Sequence, residues 1–256
     1  MPHNLTAVAL LSEGMHPLSL RARRAEQDAQ ALELASKIGH ASGLHAGTQA
    51  AQEKLRPYLG MSLAESISLL EITEDADPVL ALAAHFKQTQ FDVILTGTRA
   101  ELGESSGMLP YLLADTLGIP VINQVCEVSV NGHELSVTQA LPRGARRALT
   151  VSLPCILIVD SAAPAARQTA FGPAKRGTIN VISGYSECDT LGQSLQFELA
   201  KKKPKRMKKV KAKTAADRFK AATASQAKGG QVIHPDTPEA GAAAIFELLK
   251  SEGLVK

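Results

Sequence analysis

Apolar runs alternate with segments of helical spacing through the first 120 residues. Four runs predict strands buried on both faces: NLTAVALL (4–11), GLHAG (43–47), SISLLEI (66–72) and FDVILTG (91–97). The segments between and after them predict four helices, at 21–40, 48–60, 75–90 and about 106–117. Continuous apolar strands that alternate with helices are typical of a parallel sheet covered on both faces. We therefore predict an α/β fold with a Rossmann-like, mostly parallel sheet.

The pattern changes after Pro120. Asn131–Gly132 separates two alternating segments, which predicts a β-hairpin. RRALTVSLPCILIVD then predicts another strand and a long apolar strand that ends at Asp160. Residues 161–178 lack apolar periodicity, so we expect a surface loop there.

Charge divides the chain into two unequal parts. The net charge of +3 combines −6 over residues 1–200 with +9 over residues 201–256. We predict an α/β nucleotide-binding domain over 1–184 and a basic C-terminal arm over 185–256. The arm ends in an amphipathic helix at 238–255, and we expect it to pack on a partner subunit.

The basic run in the arm has three interpretations. Eleven of the 22 residues from 201 to 222 are Lys or Arg, which suits a nucleic-acid-binding tail, an arm on an acidic partner, or a solvated linker. No aromatic residue precedes Phe219 in this run, so stacking on bases is unsupported. We expect no nucleic-acid partner.

Other classes are disfavoured by what the sequence lacks. No apolar run approaches the ~18–20 residues of a membrane span, and the N-terminus has no basic segment typical of a signal peptide. The three cysteines lie far apart, which suits reduced thiols. We expect a cytoplasmic protein of the bacterial cytosol, with no transmembrane segment and no metal site.

Catalytic motifs are also missing. The seven histidines are scattered without an HExxH arrangement, and no GxSxG occurs. His45 and His85 are interpreted as solvated or capping groups rather than acid–base catalysts. A cofactor carrier or binding subunit therefore fits better than an enzyme with catalytic residues of its own.

The segment after the fourth predicted strand is the candidate binding site. Seven residues separate Gly97 from Ser105–Ser106–Gly107, where the backbone N–H groups of residues 106–108 and the helix dipole can receive a phosphate. The alternative is an ordinary βα loop in which Ser105 or Ser106 caps the helix. Neither GxGxxG nor GxxxxGK[ST] occurs here. Glu101 and Glu104 would repel a phosphate unless they bind ribose or backbone N–H groups.

The order of these pieces resembles the β subunit of electron-transfer flavoproteins. The resemblance rests on D-x-x-A-L-E-L-A (28–35), the strand that ends L-T-G with its loop into S-S-G, the hairpin, LPCILIVD, and R-x-x-A-F-G-P-A-K-R (167–176). The family's N-P before the first helix is Ala25–Glu26 here, and its Q-A-x-D-x-D loop is replaced by the shorter R-A-E-L-G-E. These differences indicate a divergent member.

The resemblance implies a heterodimer with a flavin-bearing α subunit. Such a complex takes electrons from a flavin-dependent dehydrogenase and passes them to a membrane quinone reductase. In the family the β subunit commonly holds AMP as a structural ligand, and FAD lies mainly in the α subunit. A stand-alone adenine-nucleotide-binding regulator of the universal-stress type is the alternative function.

Site residues follow from the resemblance by position. The implied nucleotide contacts are Ala9, Asp28, Ala46, Gly97, Thr98, Arg99, Ala100, Glu104, Ser105 and Ser106. The implied dehydrogenase-docking residues, with Phe171 as the apolar tip, are Phe171, Gly172, Pro173, Lys175 and Arg176.

Overall fold

The structure is a computed structural model. It describes residues 5–64, 66–103, 105–132, 134–196, 198–200, 214–216 and 232–251. By its internal contacts the chain forms two compact units, residues 1–196 and residues 197–256.

The first unit contains eleven strands and six α-helices among its described residues, together with two short 3-10 turns at Gln49–Ala51 and Pro142–Gly144. The strands are β1 (Thr6–Leu10), β2 (Glu13–Met15), β3 (Ala22–Arg24), β4 (His40–Gly47), β5 (Ser66–Glu71), β6 (Val93–Gly97), β7 (Val121–Asn131), β8 (Glu134–Ala140), β9 (Arg146–Ser152), β10 (Cys155–Val159) and β11 (Ile179–Ser183). The helices are α1 (Glu26–Ile38), α2 (Gln52–Leu59), α3 (Pro78–Gln88), α4 (Leu109–Leu117), α5 (Phe171–Arg176) and α6 (Thr190–Ser194).

Nine strands form one sheet in the order β11-β5-β4-β1-β6-β10-β7-β8-β9. The pairings from β11 to β7 are all parallel, and β7, β8 and β9 pair antiparallel. The prediction of a mostly parallel α/β sheet with a β-hairpin is confirmed.

Helices cover both faces of this sheet because the strand side chains alternate between two cores. On one face Ala7 and Ala9 of β1 belong to a core with Leu32 of α1 and Leu55 of α2. On the other, Val8 and Leu10 belong to a core with residues of α3 and α4, including Leu82, Phe86 and Leu113. This arrangement is the doubly wound form of an α/β sheet.

The predicted hairpin turns where Asn131 and Gly132 stand. Gly132 has a φ of 64°, a left-handed conformation that glycine adopts without steric cost. β7 pairs with β10 only up to Val125, and its remainder pairs with β8. The hairpin therefore continues the sheet beyond the end of β10.

Three local predictions were wrong. The segment 21–40 was expected to be one helix, but Ala22–Arg24 pairs with Glu13–Met15 and α1 begins only at Glu26. The expected surface loop 161–178 contains the helix α5. The strand β11 has no counterpart among the predicted elements and pairs with β5 along its whole length.

The second unit contains the helix α7 (Pro238–Ser251). No residue of α7 is buried, and its large apolar side chains Ile245, Phe246 and Leu248 are exposed. The predicted basic run 201–213 lies outside the described residues, as does the end of the predicted helix at 252–255.

Candidate nucleotide-binding site

A cavity of about 510 Å³ opens at the carboxyl ends of the parallel strands. The chain passes from β1 to β4 and β5 on one side, and then crosses to β6 on the other side of β1. At such a switch point the loops after neighbouring strands diverge and leave a crevice, which is where open α/β sheets bind ligands. The volume lies within the ~300–1,000 Å³ usual for small-molecule sites.

Seven of the ten predicted nucleotide contacts line this cavity. They are Asp28, Ala46, Gly97, Arg99, Ala100, Ser105 and Ser106. Ala9 is fully buried within β1, and Thr98 lies beside the cavity but does not line it. Glu104 lies outside the described residues.

The carboxylate of Asp28 ties together three elements below the cavity. Its Oδ2 accepts hydrogen bonds from the backbone N–H of Ser12 at 2.7 Å and from the Ser12 hydroxyl at 2.5 Å. Its Oδ1 accepts from the backbone N–H of Gly97 at 3.1 Å. Burial raises the pKa of Asp28, although its bonds with Ser12 and Gly97 act in the opposite direction. Asp28 therefore joins the start of α1 to the ends of β1 and β6.

Gly97 is required by the close approach of α1. A Cβ placed on Gly97 would lie 2.5 Å from Asp28 Oδ1 and 2.9 Å from the Cβ of Gln27. The Gln27 side-chain oxygen also accepts from the backbone N–H of Thr98 at 3.2 Å and from the Thr98 hydroxyl. The space in which a side chain at position 97 would lie is therefore occupied by Asp28 and Gln27.

The pocket loop (residues 98–107, of which 104 is not described) closes on itself before α4. The Ser105 hydroxyl donates to the carbonyl of Ala100 at 2.7 Å, with Ser105 in a left-handed conformation at φ 52°. Ser106 Oγ accepts from the backbone N–H of Met108 at 3.1 Å. The helix begins at Leu109, three residues later than the predicted start. One of the three amides considered for phosphate binding, Met108, thus has a partner within the loop.

Glu101 is directed away from the cavity. Its two carboxylate oxygens accept from the guanidinium of Arg23 at 3.0 and 3.2 Å. They also accept from the backbone N–H groups of Glu26 at 3.0 Å and Met15 at 3.1 Å. Because an arginine and two N–H donors occupy this carboxylate, we no longer expect Glu101 to repel a phosphate in the cavity.

Several residues that line the cavity were not predicted. Ser12 and Glu13 follow β1, and Thr73 and Glu74 follow β5. Their positions just after apolar strands could have predicted them, because the carboxyl ends of parallel strands lie together at one edge of the sheet.

His45 also lines the cavity, although its sequence suggested a solvated or capping group. Burial lowers its pKa, and its Nδ1 lies 2.7 Å from the carbonyl of Leu11. A carbonyl only accepts, so Nδ1 carries the proton and Nε2 is an acceptor in the neutral ring. His45 thus offers the cavity wall a neutral imidazole.

The phenol of Tyr58 stabilises the wall behind Ser12. Its hydroxyl donates to the carbonyl of Ser12 at 2.8 Å and accepts from the backbone N–H of Ala25 at 2.8 Å. Burial raises the pKa of Tyr58 well above its usual value, so the hydroxyl keeps its proton and remains a donor.

The predicted docking residues form α5, at the end of a segment (161–177) held by α1 and α2. Gln30 donates to the carbonyl of Ala163 at 2.9 Å, and Glu33 forms a two-point ion pair with Arg167 at 3.0 and 3.1 Å. Arg56 donates to three carbonyls, each at 3.3 Å, at Ala174, Lys175 and Gly177.

Phe171 is the apolar residue that this segment presents to solvent. It is 80 % exposed, and the Lys175 ammonium lies 5.9 Å from the centre of its ring. A large exposed aromatic side chain on a well-anchored segment is typical of a protein contact site.

Two further findings concern the described part of the chain only. No group of three His, Cys, Asp or Glu side chains there is arranged to hold a metal ion. None of its helices has the length and apolar character needed to cross a membrane.

Fold and cavity together define a doubly wound α/β protein with a crevice of small-molecule size at its switch point. Residues 21–185 match the family model described as the electron transfer flavoprotein domain. The chain is 45 % identical over 258 aligned positions to the electron transfer flavoprotein subunit beta of Chromohalobacter salexigens, covering 98 % of this chain and 96 % of that protein. The chain belongs to the electron transfer flavoprotein family, among its β subunits, and the predicted resemblance is confirmed.

The bonds of Asp28 predict the effect of removing its charge. Asp28→Asn keeps the shape of the side chain but replaces one carboxylate oxygen by an NH₂ group. Because donors reach both oxygens of Asp28, the NH₂ group must face either the Gly97 N–H or the Ser12 donors, and a hydrogen bond is lost. We expect the free energy of unfolding to fall by about 1–3 kcal/mol, measured by urea denaturation at pH 7. The exposed carboxylate control Glu127→Gln should change it by less than about 0.5 kcal/mol. An Asp28→Asn protein as stable as the wild type would contradict the structural role.

Proposed function

We propose that this chain is the β subunit of a heterodimeric electron-transfer flavoprotein that shuttles electrons from a flavin-dependent dehydrogenase to a membrane quinone reductase. FAD belongs mainly to the α subunit, and the β subunit holds AMP as a structural ligand. The protein acts in the bacterial cytosol, with transient contact with its membrane-bound acceptor. The observation that carries the proposal is a switch-point cavity lined by seven predicted contacts in a chain closely similar to a named β subunit.

The cavity has the two kinds of lining that AMP requires. Apolar side chains offer a surface for the adenine base, among them Leu10 of β1, Leu44 of β4, Leu82 of α3 and Ile72, which directly follows β5. The polar part contains Arg99, Ser105 and Ser106. The charge of Arg99 and the hydroxyl of Ser106 suit a phosphate, whereas the Ser105 hydroxyl donates to Ala100 and shapes the loop beside them. Arg99 and Ser106 would hold the phosphate, and the apolar group would hold the base.

Such a β subunit is an electron carrier's scaffold and needs no acid, base or nucleophile of its own. Flavin supplies the redox chemistry when bound, and protein groups set its position and surroundings. The exposed apolar face of α7 supports the α-subunit partner, because an amphipathic helix of this kind stabilises itself by covering its apolar side.

The first test identifies the partner and the ligand together. Co-expressed with its α subunit, the chain should co-purify as a yellow complex. Denaturation of this complex should release FAD and AMP, which mass spectrometry identifies. Release of ATP from a colourless monomer would instead support the stand-alone regulator. A stable monomer that binds no flavoprotein would overturn the proposal.

The second test places the phosphate. Ser106→Asp puts a carboxylate among the proposed phosphate contacts, and like charges a few ångströms apart should lower AMP affinity about tenfold or more. AMP released from the denatured complex is quantified by chromatography, with the exposed Ser152→Asp as the charge control. Equal AMP content in Ser106→Asp and the wild type would mean that the phosphate lies elsewhere.

The third test concerns Phe171. Since exposed aromatic anchors often dominate docking energy, Phe171→Ala should slow electron transfer from subsaturating dehydrogenase about ten- to thirtyfold, with the melting temperature unchanged. Leu18→Ala, which removes another highly exposed apolar side chain, is the matched control. Unchanged transfer in Phe171→Ala would remove the docking role.

A further inference from the structure

One carboxylate fastens the pocket loop to the rest of the protein. Glu101 lies between Ala100 and Leu102, both of which line the cavity, while its own side chain points to the β2–β3 hairpin. Through four hydrogen bonds it contacts β2 at Met15, β3 at Arg23 and the first residue of α1, Glu26. The loop is thus attached to the scaffold on its outer side and faces the cavity on its inner side.

The groups that contact the Glu101 carboxylate are a guanidinium and two backbone N–H donors. One guanidinium nitrogen of Arg23, Nη2, contacts both carboxylate oxygens, so charge attraction strengthens these hydrogen bonds. The N–H of Glu26 is among the first of α1, which have no acceptor within the helix, and the helix dipole favours a negative charge there. Arg23 is itself held by its Nε, which donates to the carbonyl of Met15 at 3.3 Å.

Among the described residues of the pocket loop, the other bonds lie near its two ends: Thr98 bonds to Gln27, and Ser106 bonds to Met108. Gly103 takes a left-handed φ of 84° with open space around it, and the Ser105–Ala100 bond closes only part of the loop. A loop that must be ordered when its ligand binds loses affinity through conformational entropy, whereas a pre-formed loop does not.

We propose that Glu101 is a positioning residue that holds the pocket loop in its ligand-ready conformation. It acts through the hairpin and α1, without contacting the ligand. The inference rests on the proposed function of the cavity as the AMP site. It assigns a role in binding to a residue whose charge would otherwise oppose a phosphate.

The experiment compares AMP affinity in the full-length protein, purified with its α subunit and depleted of nucleotide. Glu101→Ala should raise the AMP dissociation constant about tenfold, measured by titration calorimetry. Glu101→Gln keeps the size and one acceptor oxygen, so it should recover part of the affinity. Glu53→Ala removes a carboxylate that also pairs with an arginine but does not line or adjoin the pocket loop, and should leave the affinity unchanged.

Hydrogen exchange of the peptides covering 98–107 gives a second readout that does not depend on AMP. Glu101→Ala should speed exchange there while leaving peptides of β6 protected, which separates local loosening from global unfolding. If Glu101→Ala fails to fold, Glu101→Gln carries the same comparison.

The outcomes separate the inference from the proposed function. A wild-type complex that takes up no AMP overturns the AMP assignment, and loop exchange alone then decides the role of Glu101. AMP binding and loop exchange that both match the wild type in Glu101→Ala would overturn the positioning role.

Discussion

The site depends on one buried charge. The Asp28 carboxylate lies at the ends of β1 and β6, and it accepts hydrogen bonds from Ser12, two residues after β1, and from Gly97, the last residue of β6. An unpaired carboxylate in this position would be costly, so its donors must stay in place whenever the chain is folded. The geometry of the crevice is thereby linked to the stability of the fold, and α1 cannot shift without disturbing both strand ends.

Helix α1 supports the candidate nucleotide site and the candidate docking segment at once. Its first turn holds the strand ends through Gln27 and Asp28. Its next turns hold the segment that leads to Phe171 through Gln30 and Glu33. Although burial opposes ionisation of Glu33, its bonds to Arg167 outweigh that effect and lower its pKa, so this anchor is charged at neutral pH. Helix α1 therefore positions both the cavity and the docking segment, through polar bonds to segments that have little regular secondary structure.

The sequence predicted what local pattern determines and missed what distant partners determine. The four apolar strands, the helices between them and the turn at Asn131–Gly132 were found because periodicity and turn chemistry are local. β3 was missed since RARRAEQ has good helix-forming residues, and only its pairing with Glu13–Met15 makes it a strand. Glu101 was interpreted as a repulsive charge for the same reason: its partner Arg23 is 78 residues away.

Gly97 and Gly107, at the two ends of the pocket loop, explain how the proposed nucleotide site can lack a glycine fingerprint. In the dinucleotide motif, glycines allow backbone to approach the ligand and helix to approach strand. In this chain the two close approaches are between parts of the protein itself. A Cβ on Gly97 would meet the Asp28 carboxylate, and one on Gly107 would lie 2.6 Å from the carbonyl of Thr98. These glycines bring the loop against its own scaffold, so the proposed ligand contacts are neighbouring positions such as Arg99, Ser105 and Ser106. Because Gly97 and Gly107 serve packing within the protein, their spacing does not follow the glycine motifs of phosphate-binding loops.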